Sequence, residues 1–254
     1  MSWNPDQYLK FEQPRLRPAL DLLARVPLDA PERACDLGCG TGSMTGVMAR
    51  RWPQARVVGV DASAEMLAKA RAAAPQIEWV QADLAAWRPP EPVDLVYSNA
   101  ALHWLDDHPR VFAELADSLR PGGVLAVQMP NNFREPSHRM IEETVRAGRW
   151  RDRLEPLLRP VPVGAPTDYY DILAPRMSGV DIWETVYLQV LSGPDPVKEW
   201  TKGTWLAPLL AALPPEQRDE FEADYAARLR PHYPMRADGR TLFPFRRLFI
   251  VARR

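Results

Sequence analysis

The sequence predicts an α/β fold whose centre is a doubly wound, mostly parallel sheet of seven strands. Short apolar segments alternate with segments of helical periodicity through the first half of the chain. A glycine-rich turn, Gly38-Cys39-Gly40-Thr41-Gly42, directly follows the first apolar strand segment. Strands that alternate with helices at this spacing form a parallel sheet covered on both faces. The second half of the chain is expected to form a helical cap over the carboxyl-end face of that sheet.

The first predicted element is an amphipathic helix over 15–26, where Leu16, Leu20 and Leu23 recur at helical spacing before Pro27. Apolar, β-branched runs after it predict strands, and the amphipathic stretches between them predict helices. Arg120-Pro121-Gly122-Gly123 predicts a turn. The strands are expected at 33–37, 56–60, 77–81, 93–97 and 124–129, and the helices at 44–52, 64–73 and 109–119.

The regular alternation stops after Met129. A helix over 136–150 and a proline-interrupted stretch lead to Thr167-Asp168-Tyr169-Tyr170-Asp171, and this region is expected to cover the face that carries the site. The remaining predicted elements are a strand at 180–191, helices at 196–213 and 216–229, and a last strand at 242–252.

Composition limits the number of domains and the partners. The chain has 254 residues, of which 46% are hydrophobic and 26% charged, so one domain over 1–254 is expected. Its 32 basic and 33 acidic residues nearly cancel, and no global charge attracts it to nucleic acid or an anionic membrane. No apolar run reaches signal-peptide length at the start or bilayer length elsewhere, so a cytoplasmic location is expected. Oligomeric state is not fixed, although a monomer is favoured.

The two cysteines stand four residues apart, a spacing that could suggest a metal pair. Neither Cys35 nor Cys39 has a second Cys or His pair at ligand spacing nearby, so no metal site is predicted. The alternative interpretation is that Cys35 packs within a buried strand and that Cys39 fills a crowded turn.

The strongest functional signal is the glycine turn with Asp36 two residues before its first glycine. Its three glycines let a ligand lie against the backbone. A dinucleotide fingerprint needs glycine at the first, third and sixth positions, but the sixth position counted from Gly38 is Ser43. Asp36 would repel a pyrophosphate, whereas it could attract an ammonium group directly or through water. These features favour S-adenosylmethionine as the ligand.

Polar residues follow the next three strands. Asp61 could accept both ribose hydroxyls in a bidentate pair, or could be the N-cap of the following helix. Asp83, which precedes Leu84, lies where an adenine amino group would be, or is a plain turn aspartate. Asn99 and His103 are expected at the methyl-donor end of the crevice, because ligands bind outside the carboxyl ends of such strands. Asn99 could equally be a turn residue.

These residues resemble the class I S-adenosylmethionine-dependent methyltransferases, which have a Rossmann-like fold. The resemblance implies that 36–42 hold the methionine part of the cofactor, that Asp61 holds the ribose and that Asp83 holds the adenine. The fourth strand is not followed by Asn-Pro-Pro-Tyr or Asp-Pro-Pro-Phe, a motif typical of nucleic-acid amino methyltransferases of this fold. No nucleic-acid partner is therefore expected. We expect the cofactor-binding core at 27–130, lid and acceptor-binding elements at 1–26 and 131–241, and a final strand at 242–254.

A second set of segments extends along the whole chain: Trp3-Asn4-Pro5, Tyr8-Leu9, Val127-Gln128-Met129-Pro130, Glu135-Pro136, Tyr169-Tyr170-Asp171-Ile172-Leu173, Val180-Asp181-Ile182-Trp183 and Arg247-Leu248-Phe249-Ile250-Val251-Ala252. These segments resemble the trans-aconitate 2-methyltransferase family. The resemblance implies methyl-ester formation on one carboxylate of a small tricarboxylic acid. A carboxylate with a pKa of about 4 is already ionised at pH 7, so no general base and no catalytic residue is predicted.

Such a reaction needs in-line geometry, together with cationic and hydrogen-bonding groups that hold the other carboxylates. Any single arginine could instead be a solvated surface charge. Trp3, Tyr8 and Phe11 could form a lid over the sulfonium, with Trp3, Tyr8 and Arg15 in contact with the cofactor, or could dock the first helix on the core. The candidates for acceptor binding are Arg15, Arg17, His103, Asn132, Tyr169, Tyr170, Lys202, Arg246 and Arg247.

Two positions depart from the family pattern. Where the family has glycine, leucine, arginine and proline, this chain has Trp205-Leu206-Ala207-Pro208. The missing arginine removes a carboxylate partner and Trp205 adds bulk, although Arg246 could compensate. The alternatives are therefore another small acid or biosynthetic intermediate as acceptor, or a cofactor-binding protein without turnover. A nicotinamide oxidoreductase fits Asp36 and the missing third glycine poorly.

Overall fold

The structure, a computed structural model, describes residues 12–254, with side chains from residue 16 onward. Contacts between residues divide the chain into two compact units. The sheet unit consists of residues 17–130, 162–185 and 247–254. The helical unit consists of residues 131–161 and 186–246, together with the described residues before 17. The single domain and the cap over the sheet stay predictions.

The strands are β1 (Arg33–Leu37), β2 (Arg56–Asp61), β3 (Glu78–Gln81), β4 (Val93–Asn99), β5 (Leu119–Pro130), β6 (Gly179–Ser192) and β7 (Arg240–Arg253). Within the described residues they form one seven-stranded sheet in the order β3-β2-β1-β4-β5-β7-β6. The pairings among β1 to β5 are parallel, and β7 runs antiparallel to β5. The predicted α/β class, with a mostly parallel sheet of seven strands, is confirmed.

Two of the helices begin at a side chain that caps their backbone N–H groups. Ser63 accepts a hydrogen bond from the backbone N–H of Met66 at 3.3 Å, and Asp107 accepts one from Arg110 at 3.2 Å. The helices are α1 (Glu12–Ala24), α2 (Ser43–Arg51), α3 (Ala64–Ala73), α4 (His108–Asp117), α5 (Pro136–Ala147), α6 (Arg151–Leu154), α7 (Pro166–Leu173), α8 (Pro196–Lys202), α9 (Ala207–Ala212) and α10 (Pro215–Leu229), with 3₁₀ turns at Leu102–Trp104 and Glu155–Leu157.

The turn predicted at Arg120-Pro121-Gly122-Gly123 is wrong as a boundary, because these residues lie inside β5. The strand begins at Leu119, opposite Val93 of β4, and the register then shifts so that Leu95 pairs with Val124. Gly122 has a φ of +82° within this irregularity. The proline and glycines therefore bulge the strand without ending it.

The core of the sheet unit consists of the parallel strands and the helices that connect them. Leu95 and Val96 of β4 and Val124 and Leu125 of β5 are completely buried. Near-continuous apolar runs of this kind are typical of parallel strands covered on both faces. The hydroxyl of Tyr97 donates a hydrogen bond to the carbonyl of Ala19 at 2.7 Å, which fixes α1 to β4.

The helical unit has an aromatic core of its own. Trp150 packs edge to face on Phe221 with ring centroids 5.3 Å apart. The predicted helix over 136–150 ends at Ala147, because the next residue, Gly148, has an extended backbone with a ψ of 163°. The predicted helix over 196–213 divides into α8 and α9. None of the helices in the described part of the chain is long and apolar enough to cross a membrane.

Candidate functional site

Two turns meet at the carboxyl ends of β1 and β4. A Cβ at Gly38, the first residue of the glycine turn, would overlap the Cβ of Ala101 in the turn after β4. Gly38 has a φ of +75°, and Ala100 enters its own turn with a φ of 53°. β1 and β4 are neighbours at the point where the strand order reverses. The two turns therefore lie at the crevice in which sheets of this class bind ligands.

Gly40 and Asp61 connect the glycine turn to β2. The backbone N–H of Gly40 donates to Oδ2 of Asp61 at 2.8 Å, and the N–H of Ser63 donates to Oδ1 at 2.8 Å. A Cβ at Gly40 would have no described atom within 4 Å, so this part of the turn faces open space. Ser63 caps α3, and the alternative of Asp61 as the N-cap is wrong.

Asp36 lies beneath the glycine turn and is 2% exposed. The hydroxyl of Thr45, on α2, donates a hydrogen bond to Oδ2 of Asp36 at 2.6 Å. Burial raises the pKa of Asp36 to about 7, and this effect exceeds the opposing one of the Thr45 hydrogen bond. The charge of this carboxyl group therefore changes near neutral pH.

Asp83 and Leu84 follow β3. Asp83 is exposed, and its Oδ1 accepts a hydrogen bond from the backbone N–H of Ala85 at 2.9 Å. Asp83 therefore acts as a turn residue, as the alternative interpretation stated. Its carboxylate has further lone pairs that could accept hydrogen bonds from a ligand. A Cβ at Gly38 would lie 3.4 Å from Leu84 Cδ1, so Leu84 borders the glycine turn.

Asn99 is the last residue of β4, and Gln128 of β5 is its register partner. The carbonyl of Gln128 accepts a hydrogen bond from the backbone N–H of Ala100 at 2.9 Å. Among the described residues, nothing bonds the buried Oδ1 of Asn99. A buried acceptor that has no protein partner is a feature of sites where a ligand completes the hydrogen bonding.

His103 lies on the 3₁₀ turn after β4 and is 5% exposed. The neighbouring His108 fixes that turn, because its Nε2 lies 3.0 Å from the carbonyl oxygen of Leu102. That carbonyl can only accept, so Nε2 carries the proton and Nδ1 accepts from the hydroxyl of Tyr169 at 2.7 Å. Burial lowers the pKa of His108, which favours the neutral ring.

The predicted tyrosines occupy different environments on α7. Tyr169 is 1% exposed, and its hydroxyl also accepts a hydrogen bond from the backbone N–H of Gly164 at 3.2 Å. Tyr170 is 53% exposed. The structure therefore gives Tyr169 contacts within the sheet unit and leaves the ring of Tyr170 at the surface.

Arg247 is 5% exposed and lies in β7, where it pairs with Pro130 of β5. Its Nη1 donates to Oε1 of Gln128 at 3.3 Å. Gln128 is not among the predicted site residues and occurs only in a segment that resembles the family. A glutamine inside the apolar run Val124 to Met129 was the signal for it, since buried polar side chains in such strands usually have a specific task.

Three other candidates belong to the helical unit. Oδ1 of Asn132, which is completely buried, accepts a hydrogen bond from the backbone N–H of Arg246 at 2.5 Å. The Arg246 guanidinium lies 3.5 Å from Glu135. Lys202 pairs with Glu222 at 2.8 Å, so its charge is balanced within the unit.

The departures from the family pattern also lie in the helical unit. The ring of Trp205 packs against Phe133 at 4.9 Å and against His138 at 5.5 Å between centroids. The guanidinium of Arg159 lies 5.9 Å from the same ring. Burial lowers the pKa of His138 to about 4, so this histidine is neutral at pH 7. Ala207 begins α9.

Some predicted residues lie outside the described part of the chain. Trp3, Tyr8 and Phe11 precede residue 12, and the side chain of Arg15 is also outside it. The cysteines lie where the alternative interpretation placed them, Cys35 buried in β1 and Cys39 buried in the glycine turn.

Comparisons with known proteins match one segment of the chain to a family model and nearly the whole chain to individual relatives. A model described as a methyltransferase domain matches residues 34–123. A trans-aconitate 2-methyltransferase of Azoarcus sp. strain BH72 is 52% identical over 99% of this chain and 98% of its own length. One of Agrobacterium fabrum is 46% identical over 99% of both chains.

A solved structure shows the same fold. The S-adenosylmethionine-dependent methyltransferase of Mesorhizobium loti superposes with a TM-score of 0.53 at 23% identity, over 96% of this chain and 100% of its own. Identity at this level supports the fold alone.

Proposed function

The chain is a methyltransferase of the trans-aconitate 2-methyltransferase family, and we propose that it transfers a methyl group from S-adenosylmethionine to one carboxylate of trans-aconitate. The products are a monomethyl ester and S-adenosylhomocysteine. The observation that carries this proposal is the 52% identity to a relative of that name, which extends over the sheet unit and the helical unit alike.

The residues around the glycine turn fit the cofactor. Gly40 leaves room where a side chain would stand, and Asp61 keeps lone pairs for ribose hydroxyls beside its two backbone contacts. Asp36 supplies a negative charge for an ammonium group, and Asp83 and Leu84 border the place expected for adenine. When bound, S-adenosylmethionine supplies an electrophilic methyl group on a sulfonium.

The acceptor carboxylate attacks without help from a base. A carboxylic acid with a pKa of about 4 is ionised at neutral pH, and proton abstraction is therefore not part of the reaction. The protein's task is to hold an oxygen of the acceptor in line with the methyl group and to exclude water. His103 and Asn99, both at the carboxyl end of β4, are proposed to lie beside the reacting groups.

Positive charge is needed for the other carboxylates. Arg247 is the proposed cation in the sheet unit. In the helical unit, Arg246 and Lys202 are separate candidates, and Asn132 is a candidate hydrogen-bonding group. Lys202 is the weakest of the three, because Glu222 already balances its charge. Arg246 is 40% exposed at its side chain and lies 3.5 Å from Glu135.

The test is methyl-ester formation from labelled S-adenosylmethionine with trans-aconitate, cis-aconitate, citrate and an apolar monocarboxylate in separate reactions. The proposal expects trans-aconitate to react far faster than the monocarboxylate. A protein that binds the cofactor but methylates none of the polycarboxylates contradicts it.

A second candidate is a methyltransferase for a less charged acid. Trp205 favours it, because an apolar ring packed on Phe133 and His138 stands where the family pattern has a glycine. This candidate expects the monocarboxylate to react faster than trans-aconitate, and the variants Trp205→Gly and Ala207→Arg to reverse that preference.

A further inference from the structure

Gln128 is a buried amide on the apolar strand β5, and the structure constrains its orientation. The residue is completely buried. Its Oε1 lies 3.3 Å from Nη1 of Arg247. A guanidinium can only donate, so the oxygen of the amide must face Arg247 and the –NH₂ group must face away.

The –NH₂ group of Gln128 has no hydrogen-bond acceptor in the part of the chain that the structure describes. Leaving a buried donor unsatisfied is unfavourable, because the group has given up its hydrogen bonds to water. Simple packing would be achieved better by an apolar side chain, as at Val127 and Met129, which are also completely buried. A donor kept in this position therefore indicates an acceptor that arrives from outside.

The neighbours of Gln128 identify where that acceptor would be. Asn99 is its register partner on the parallel strand β4, and adjacent residues of paired strands project from the same face. The buried Oδ1 of Asn99 lacks a partner among residues 12–254. Side by side on one face, β4 and β5 thus present an unsatisfied acceptor and an unsatisfied donor.

We propose that the –NH₂ group of Gln128, held by Arg247, binds a carboxylate oxygen of the methyl acceptor, while Oδ1 of Asn99 faces the positive methyl-donor end of the cofactor. A donor suits an anion and an acceptor suits a sulfonium, so the pair places the nucleophile next to the electrophile. This inference rests on the proposed function and assigns Gln128 as a determinant of acceptor affinity.

The variant Gln128→Met tests the donor, because it retains length and apolar volume and removes only the amide. We expect the Kd of trans-aconitate, measured by calorimetry on protein loaded with S-adenosylhomocysteine, to rise about 10- to 100-fold, as for a hydrogen bond to a charged group. KM for trans-aconitate should rise in parallel. The Kd of S-adenosylhomocysteine should change less than about threefold.

A second variant, Gln128→Glu, tests the same donor if Gln128→Met does not fold. Its carboxylate can pair with Arg247, and at neutral pH it repels the acceptor, so acceptor affinity should fall at least as far. Val124→Ala is the matched control, since Val124 lies on the same face of β5, is completely buried and precedes Gln128 by four residues. It should lower the melting temperature without changing the Kd of trans-aconitate.

The outcomes separate the two proposals. If the wild-type protein forms no ester from any polycarboxylate, the proposed function fails and the assignment of Gln128 fails with it. If the wild type methylates trans-aconitate but Gln128→Met and Gln128→Glu bind it as tightly as the wild type, only the assignment is overturned. An equal loss of acceptor affinity in Val124→Ala also overturns it.

Discussion

The carboxylate of Asp61, at the end of β2, accepts a hydrogen bond from the backbone N–H of Gly40 at 2.8 Å. Its other oxygen accepts from the N–H of Ser63 at the same distance. The residue proposed to bind ribose therefore also sets the position of the glycine turn. Ribose binding and turn geometry depend on one side chain.

We predict that Asp61→Asn weakens binding of S-adenosylhomocysteine at least about 10-fold, because an amide has one acceptor oxygen for two backbone donors and no charge. Stability should fall by about 1–2 kcal/mol in urea unfolding. Calorimetric titration measures the first effect. Glu65→Gln is the control, since Glu65 is an exposed carboxylate on α3 that pairs with Lys69. Unchanged affinity in Asp61→Asn would remove Asp61 from the cofactor site.

Alanine at Gly38 and alanine at Gly40 are predicted to have different effects on stability and on cofactor affinity. Gly38→Ala forces its methyl group into Ala101, and its φ of +75° adds strain, so unfolding should require at least about 2 kcal/mol less. Gly40→Ala meets no described atom and carries only the strain of its φ of +55°, so it should lose less stability than Gly38→Ala. It should lose cofactor affinity, because its methyl enters the proposed ligand space.

The double variant Gly38→Ala/Ala101→Gly checks the cause of the Gly38 effect. It should recover part of the lost stability, because the clash is removed and the φ strain remains. Thermal unfolding and titration with S-adenosylhomocysteine distinguish the variants. Equal stability of Gly38→Ala and Gly40→Ala would contradict the contact with Ala101.

The fold could be predicted from the sequence because its parallel strands carry strong local signals. The strand predicted at 33–37 has the bounds of β1, and the helix predicted over 64–73 has the bounds of α3. The failures occurred where tertiary pairing overrides local turn chemistry. Pro121 and Gly122 are typical turn residues, yet pairing with β4 on both sides keeps them inside β5.

Candidate site residues could be predicted where they belong to a sequence motif. They could not be predicted where only a contact in the folded structure reveals them. The positions of Asp61 and Gly40 beside one another follow from their places after strands, and the structure joins them by a hydrogen bond, while their role in binding stays a prediction. The bond between Tyr169 and His108 depends on residues 61 positions apart. Gln128 shows the same limit, since only the contact with Arg247 reveals the direction of its amide.

Tyr169→Phe is predicted to destabilise the sheet unit by about 1–2 kcal/mol, since it removes the hydroxyl that joins Nδ1 of His108 to the N–H of Gly164. The 3₁₀ turn that carries His103 should loosen, so KM for the acceptor should rise. Tyr170→Phe is the matched stability control, because its neighbouring hydroxyl is on a ring that is 53% exposed. Urea unfolding compares the two variants. Equal unfolding midpoints would show that the hydrogen bonds of the Tyr169 hydroxyl do not contribute to stability.

Asp36 predicts a pH dependence of both stability and cofactor binding. Burial raises its pKa from 3.8 to about 7. The folded protein thus favours the protonated form of Asp36. The contribution of this group to the free energy of unfolding is fully present below pH 3.8 and is lost as pH rises through about 7. Asp36→Asn should therefore be more stable than the wild type at pH 8, by up to about 4 kcal/mol, and this difference should shrink as pH falls through 7.

Cofactor binding should follow the opposite trend, because an ammonium group is attracted only by the ionised carboxylate. For the wild type, the affinity for S-adenosylhomocysteine should fall roughly 10-fold per pH unit below about pH 7. Asp36→Asn should bind weakly at every pH and show no such slope, while Thr45 can still donate to the amide oxygen. Calorimetric titrations from pH 5.5 to pH 8, about the range that spans this pKa, measure the slope. A wild-type affinity that is flat across this range would mean that the carboxyl group of Asp36 is not the partner of the ammonium.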